Sequence, residues 1–183
     1  MDRYRQIFEK DFYVRVSPLY NIITVFDDIQ YNSNDYEMLS PPQRKQVIEA
    51  LVKNDHVQDT GKTLKDKSTG RIVRLVQTAS QGVSPLHEFE KYYNQTDVFV
   101  ITPGSYFLFL MKELFKNQKD ENLLKEIEDL ITTHPVNLIQ LLYHSKKDDF
   151  HLLFHDKIDH FKSLQHQAVI GPLSNKKALG KLL

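Results

Sequence analysis

Two uninterrupted apolar runs lie almost back to back near the middle of the chain. Val98-Phe99-Val100-Ile101 is followed, after Thr102-Pro103-Gly104-Ser105, by Tyr106-Phe107-Leu108-Phe109-Leu110-Met111. The first run reads as a buried strand. In the second, Phe107, Met111, Leu114 and Phe115 keep helical spacing, which predicts a helix capped by Thr102 with Pro103 at its first position. A hairpin partner over 106–110 competes with it, but the pattern outlasts a normal strand, and a Pro-Gly pair favours a turn type that splays strands. As a helix, this segment is apolar all round for more than one turn, whereas a surface helix shows one apolar stripe. Two layers must therefore cover it. One is the domain core. The other is either the C-terminal helices, or a second protein surface. The latter makes Tyr106, Phe107, Phe109 and Leu110 candidate interface residues for self-association.

The rest of the chain divides around Thr102. Before it, Asp2 to Asp11 predicts a short helix, Phe12 to Val16 and Tyr20 to Phe26 predict strands, and 27–37 is an acidic loop holding Asp27, Asp28, Asp35 and Glu37. Ser40, Pro41 and Gln43 punctuate the start of a helix ending near Asn54. Lys62 to Asp66 and Arg71 to Gln77 predict a hairpin around Lys67-Ser68-Thr69-Gly70, with Gly70 at a left-handed position. Thr78 to Pro85 reads as a loop. After Thr102, Leu123, Leu124, Ile127, Leu130 and Ile131 stripe a helix that Asp120 can cap. Leu138, Ile139 and Leu142 carry the next. Phe150, Phe154, Ile158 and Phe161 carry a third that starts at Asp148 or Asp149, and Gln167 to Gly171 reads as a short strand. The expectation is one α+β domain over 1–183: an antiparallel or mixed small sheet with a helix in the strand-rich part, 1–102, then a helical cluster over 103–166 and a loose tail over 172–183. A soft boundary near Gln118 is the one place where a division would fall.

Composition removes whole classes of function. The 183 residues include no cysteine, which excludes a disulfide scaffold, a thiol nucleophile and thiolate metal sites. Lys plus Arg equals Asp plus Glu at 24 each, which excludes a uniformly basic field. Met1 to Lys10 carries Asp2, Arg3, Arg5, Glu9 and Lys10 with no apolar stretch after it, so no secretory signal is expected. The run 98–111 is shorter than the roughly 20 apolar residues of a membrane span. A cytoplasmic protein without membrane attachment is the expectation, and no motif calls for a cofactor.

Three groups of residues bear on function. His151 and His155 are four apart on the last helix, with Asp159 four further on and Asp148 nearby, so they share a flank. Two imidazoles at that spacing can grip a divalent metal, with a carboxylate completing or orienting the site. Leu152 stands where the metalloprotease pattern needs glutamate, and the ordinary alternative is the solvated flank of an amphipathic helix. The second group is Lys62, Lys65, Lys67, Arg71 and Arg74, opposed in that segment by Asp66 alone. Such a basic hairpin can lie along phosphates. The third group is aromatic: Tyr92, Tyr93 and Tyr106 suit a protein interface or half-buried packing. No phosphate loop or nucleophile elbow is present, since His56 stands where Gly61-Lys62-Thr63 would need a glycine and Ser105 lacks the flanking glycine. Three readings follow: a non-enzymatic interaction or regulatory module, self-associating or bound to another protein; a nucleic-acid binder using 62–74; and a metal-dependent enzyme centred on His151 and His155.

Overall fold

The computed structural model describes residues 2–9, 13–26, 41–75 and 97–173. The acidic stretch 27–37, Ser40, the 78–85 loop, Tyr92, Tyr93 and residues 174–183 lie outside the described residues. Helix α1 is Asp2–Phe8, strands β1 and β2 are Tyr13–Val16 and Ile22–Phe26, and α2 is Pro41–Lys53. Strands β3, β4 and β5 follow at His56–Gln58, Thr63–Asp66 and Ile72–Leu75, then β6 at Val98–Ile101. The helical part comprises α3, Pro103–Lys116; α4, Glu121–Thr133; α5, Leu138–His144; a 3-10 turn, Ser145–Lys147; and α6, His151–Leu173. The class is α+β, with strands before Thr102 and a helical cluster after it.

The six strands form one mixed sheet in the order β1-β2-β6-β5-β4-β3. The three central strands are parallel, β6 pairing with β2 and β5, and an antiparallel arm flanks them on each side. Period-2 alternation along β6 sends Phe99 and Ile101 to one face and Val98 and Val100 to the other. Both sets are buried because helices cover both faces. Val98, Val100, Ile23, Leu64, Val73 and Leu75 pack against Tyr4, Ile7 and Phe8 of α1 and Val47 and Leu51 of α2. Phe99, Ile101 and Ile22 pack under α3 to α6. That double cover is why the strand reads as a continuous apolar run.

The local expectations find their physical counterparts. Thr102 caps α3, its side-chain oxygen accepting from Ser105 N at 3.2 Å, with Pro103 in the first turn. Asp120 caps α4 through the backbone N–H groups of Asn122 and Leu123. Gly70 adopts φ +71° in the β4–β5 turn. One expectation fails. Residues 167–171 continue α6 and form no strand. Each added helical residue gains a hydrogen bond, and that outweighs the β preference of Val169 and Ile170. The short edge strand β3 had no apolar alternation to announce it, since its burial pattern is one buried residue and two exposed. No helix among the described residues is long and apolar enough to cross a membrane.

Candidate functional site

The apolar run after Ser105 is the centre of the helical cluster. Tyr106, Phe107, Leu108, Leu110 and Met111 are fully enclosed and Phe109 nearly so. Phe107 meets the rings of Phe154 and Phe161 at 5.0 and 5.7 Å, and Phe109 meets Tyr20 at 4.8 Å. The candidate interface residues Tyr106, Phe107, Phe109 and Leu110 therefore present no outward face. The second layer that the sequence demands is supplied by α4 to α6 of the same chain.

Two buried polar networks tie the layers together. Arg15 on β1 reaches Glu126 on α4 with two nitrogens, and the Tyr106 hydroxyl, hydrogen-bonded to Ser17 Oγ, reaches Glu126 Oε1 at 3.2 Å. Burial pushes the Tyr106 phenol well above its ordinary range. On the opposite face, Asp66 receives Arg3 at 2.8 Å and both the backbone N–H and hydroxyl of Ser68. Burial works to raise the Asp66 carboxyl, but the hydrogen bonds from Ser68 and Thr69 and the charge of Arg3 outweigh it, holding the group well below the usual carboxylate range. His56 Nδ1 sits 3.0 Å from Leu51 O and 2.8 Å from Asn54 O. Carbonyls only accept, so Nδ1 carries the proton and pins the end of α2 to the sheet. Both networks read as structural fastenings.

The histidine flank disperses its groups. His151 Nδ1 bonds Ser145 Oγ at 2.9 Å, joining α6 to the 3-10 turn. His155 points to solvent with Asp156 at 4.0 Å. The Asp159 carboxylate is paired with Lys162 at 3.6 Å. His160 faces the other way and bonds Glu128 on α4 at 2.8 Å. Among the described residues, no group of three or more His, Asp or Glu side chains is gathered to hold a metal ion. The sequence spacing was right for one flank, but sharing a flank does not make side chains converge.

The basic hairpin forms, with Thr63↔Arg74 and Lys65↔Ile72 in register. Its five cations do not share one surface. Lys65 and Arg74 lie on the face turned from α1 and α2, Lys67 lies in the turn, Arg71 just after it, and Lys62 at the far end. Arg74 is held by Asp97 at 2.6 Å. Lys65, Lys67 and Arg71 are exposed around the turn.

The remaining feature lies between α5 and α6. Val136, Leu138 and Ile139 on one side and Lys162, Ser163 and His166 on the other line a groove of about 550 Å³. Gln165 closes its base by bonding both the N–H and the carbonyl of Val136, at 2.9 and 3.0 Å. Asn137 caps α5 and starts the helix at the groove edge. Beside it, Ile139 is 58% exposed and Tyr143, one turn on, is 61% exposed. The sequence groups Ile139 with Leu138 and Leu142 as the apolar residues that carry this helix. The pattern alone does not show which of these apolar residues the neighbouring helices cover, and Ile139 is left more than half exposed. No protein-family model, no curated protein and no solved structure matches this chain.

Proposed function

We propose that the chain is a non-enzymatic protein-interaction module whose contact surface is the α5–α6 face. The observation that carries the reading is the juxtaposition of the groove with Ile139 and Tyr143. Single exposed apolar residues are ordinary, but two a turn apart beside a concave surface form a patch that water solvates poorly. Tyrosine is enriched at interfaces because its ring buries area while its hydroxyl keeps a partner. Lys146 lies 4.4 Å over the Tyr143 ring, which adds charge at the patch rim. A photo-crosslinking amino acid placed at Tyr143 is expected to give discrete protein adducts, absent when it is placed at Gln46 on α2. Ile139→Glu should abolish the adducts without changing the melting temperature. No adduct at position 143, or equal adducts at both positions, refutes the reading.

A second reading rests on Lys65, Lys67 and Arg71, which crowd the turn end of the hairpin. Phosphate contacts there would give salt-dependent binding to nucleic acid. Lys67→Ala with Arg71→Ala would lower the slope of log affinity against log salt by up to about two units on duplex DNA. No binding of the wild type at low salt removes it.

A further inference from the structure

One guanidinium ties three segments together on the side of the sheet away from the α5–α6 face. Arg3 Nη1 donates to Asp66 Oδ2 at 2.8 Å and to Ser68 Oγ at 2.6 Å, and Nη2 donates to Asn54 O at 3.0 Å. Helix α1, the end of α2 and the β4–β5 turn are joined there. Ser68 Oγ in turn donates to Asp66 Oδ1 at 2.7 Å. The Asp66 side chain is buried, whereas Ser68 lies on the surface. A hydroxyl on the outside therefore helps to hold a carboxylate on the inside. The surroundings of that hydroxyl suit a phosphate. Lys65, Lys67 and Arg71 stand three before, one before and three after Ser68, and all are exposed. Basic residues on both sides of a surface serine form the kind of charge pattern by which a protein kinase selects its substrate. The neighbouring Thr69 hydroxyl accepts from the Arg71 N–H at 3.3 Å.

We propose that Ser68 is a phosphorylation site and that its phosphate loosens α1 from the sheet. In the reaction, Ser68 Oγ bonds to the terminal phosphorus of a nucleoside triphosphate as the bond from that phosphorus to the bridging oxygen breaks. The nucleoside diphosphate leaves and the hydroxyl proton passes to the base of the kinase. The esterified oxygen has no proton to donate, so Asp66 loses that hydrogen bond and faces a new charge of about −2. The phosphate oxygens also compete for Arg3, the cation that Asp66 and Ser68 now share. With Arg3 drawn outward, α1 keeps the apolar packing of Tyr4, Ile7 and Phe8 but loses its polar tie to the turn.

The experiment treats the full chain with ATP and the catalytic domain of a basophilic serine/threonine kinase, maps the product by tandem mass spectrometry, and follows hydrogen exchange before and after a phosphatase. One phosphate on Ser68 is expected, absent from Ser68→Ala. Exchange in the last turn of α1, where the Glu9 N–H donates to Arg5 O at 2.9 Å, should accelerate about tenfold or more and return after the phosphatase. Ser68→Ala removes the hydroxyl without adding charge, so its acceleration should be smaller. Arg3→Ala should already exchange fast in α1 and gain little more from the phosphate. No phosphate on Ser68, or phosphate on Thr69 alone, overturns the site. Unchanged or slower exchange in α1 of the phosphorylated chain overturns the loosening, because a phosphate that Arg3 simply clasps would tighten the joint.

Discussion

Arg15 on β1 and Glu126 on α4 meet in a two-pronged ion pair, Nε to Oε1 at 3.2 Å and Nη2 to Oε2 at 3.0 Å. It joins the first sheet edge to the helical cluster across 111 residues of sequence. Arg15 also reaches the Asp129 carbonyl and Thr133 Oγ1, both at 3.5 Å, so one guanidinium spans the last two turns of α4. The Glu126 side chain is almost wholly buried. Removing one member of such a pair leaves an uncompensated charge, whereas removing both with apolar replacements is often neutral. Arg15→Ala should therefore cost about 3 kcal/mol in urea unfolding. Arg15→Met combined with Glu126→Leu should recover most of that loss. Equal destabilisation by the single and double variants would show that the pair is not the fastening.

His134 gives the fold a defined acid sensitivity. Burial and, to a smaller extent, the charge of Arg15 together lower its pKa from 6.5 to about 4. The unfolded chain therefore binds a proton at a pH where the folded one does not. Stability on this account is complete above about 6.5 and falls as pH drops towards 4, by about 3 kcal/mol at most. Asp66 acts in a separate window. Its carboxyl is held below the usual range, so its contribution is intact above about 4 and is lost only in stronger acid. Unfolding free energies measured between pH 7 and 4 should decline in the wild type and stay nearly flat in His134→Asn. An unchanged slope in the variant would assign the decline to other groups.

Gly61 and Gly70 should respond oppositely to alanine. Gly70 has φ +71°, and a Cβ there meets nothing within 4 Å, so the cost of Gly70→Ala is that of the backbone alone. About 1 kcal/mol of destabilisation is expected. Gly61 has equal space and no left-handed φ, so Gly61→Ala should be neutral or stabilising by a few tenths to about 1 kcal/mol through the unfolded chain. Melting temperatures of the two variants, compared side by side, check both.

What was legible in the sequence was local. The cap at Thr102, the cap at Asp120, the turn at Gly70 and the stripe of Phe150, Phe154, Ile158 and Phe161 are each written in a few neighbouring residues, and each is in the structure. Pairing between distant segments was not legible. Nothing near Arg15 announces Glu126, and nothing near Val73 announces its parallel partner Val98. The candidate sites suffered from the same gap. His151, His155 and Asp159 share a flank by arithmetic, yet Ser145 and Lys162 take up His151 and Asp159. The groove between α5 and α6 depends on where Val136 meets Gln165, a contact between segments 29 residues apart.

Leu110 and Ile139 are both aliphatic residues on helices of the same cluster, and the same substitution should separate them. Leu110 is fully enclosed in α3, among side chains from β2, α4 and α6 that form the larger core. A carboxylate placed there has no cation to meet among those apolar neighbours, and its desolvation must be offset by neutralising it or by opening the core. Either route costs several kcal/mol, which is comparable to the whole stability of an ordinary domain. Ile139 lies on the opposite flank of its short helix from Leu141 and is more than half exposed. A glutamate there keeps its hydration, and substitutions at such positions usually change stability by less than about 0.5 kcal/mol. Leu110→Glu should therefore yield unfolded or aggregated protein, while Ile139→Glu should keep the wild-type circular dichroism and melting temperature and lose only surface contacts. Native-like melting of Leu110→Glu would mean that α3 has an outward face after all, and collapse of Ile139→Glu would mean that the α5 ridge belongs to the core.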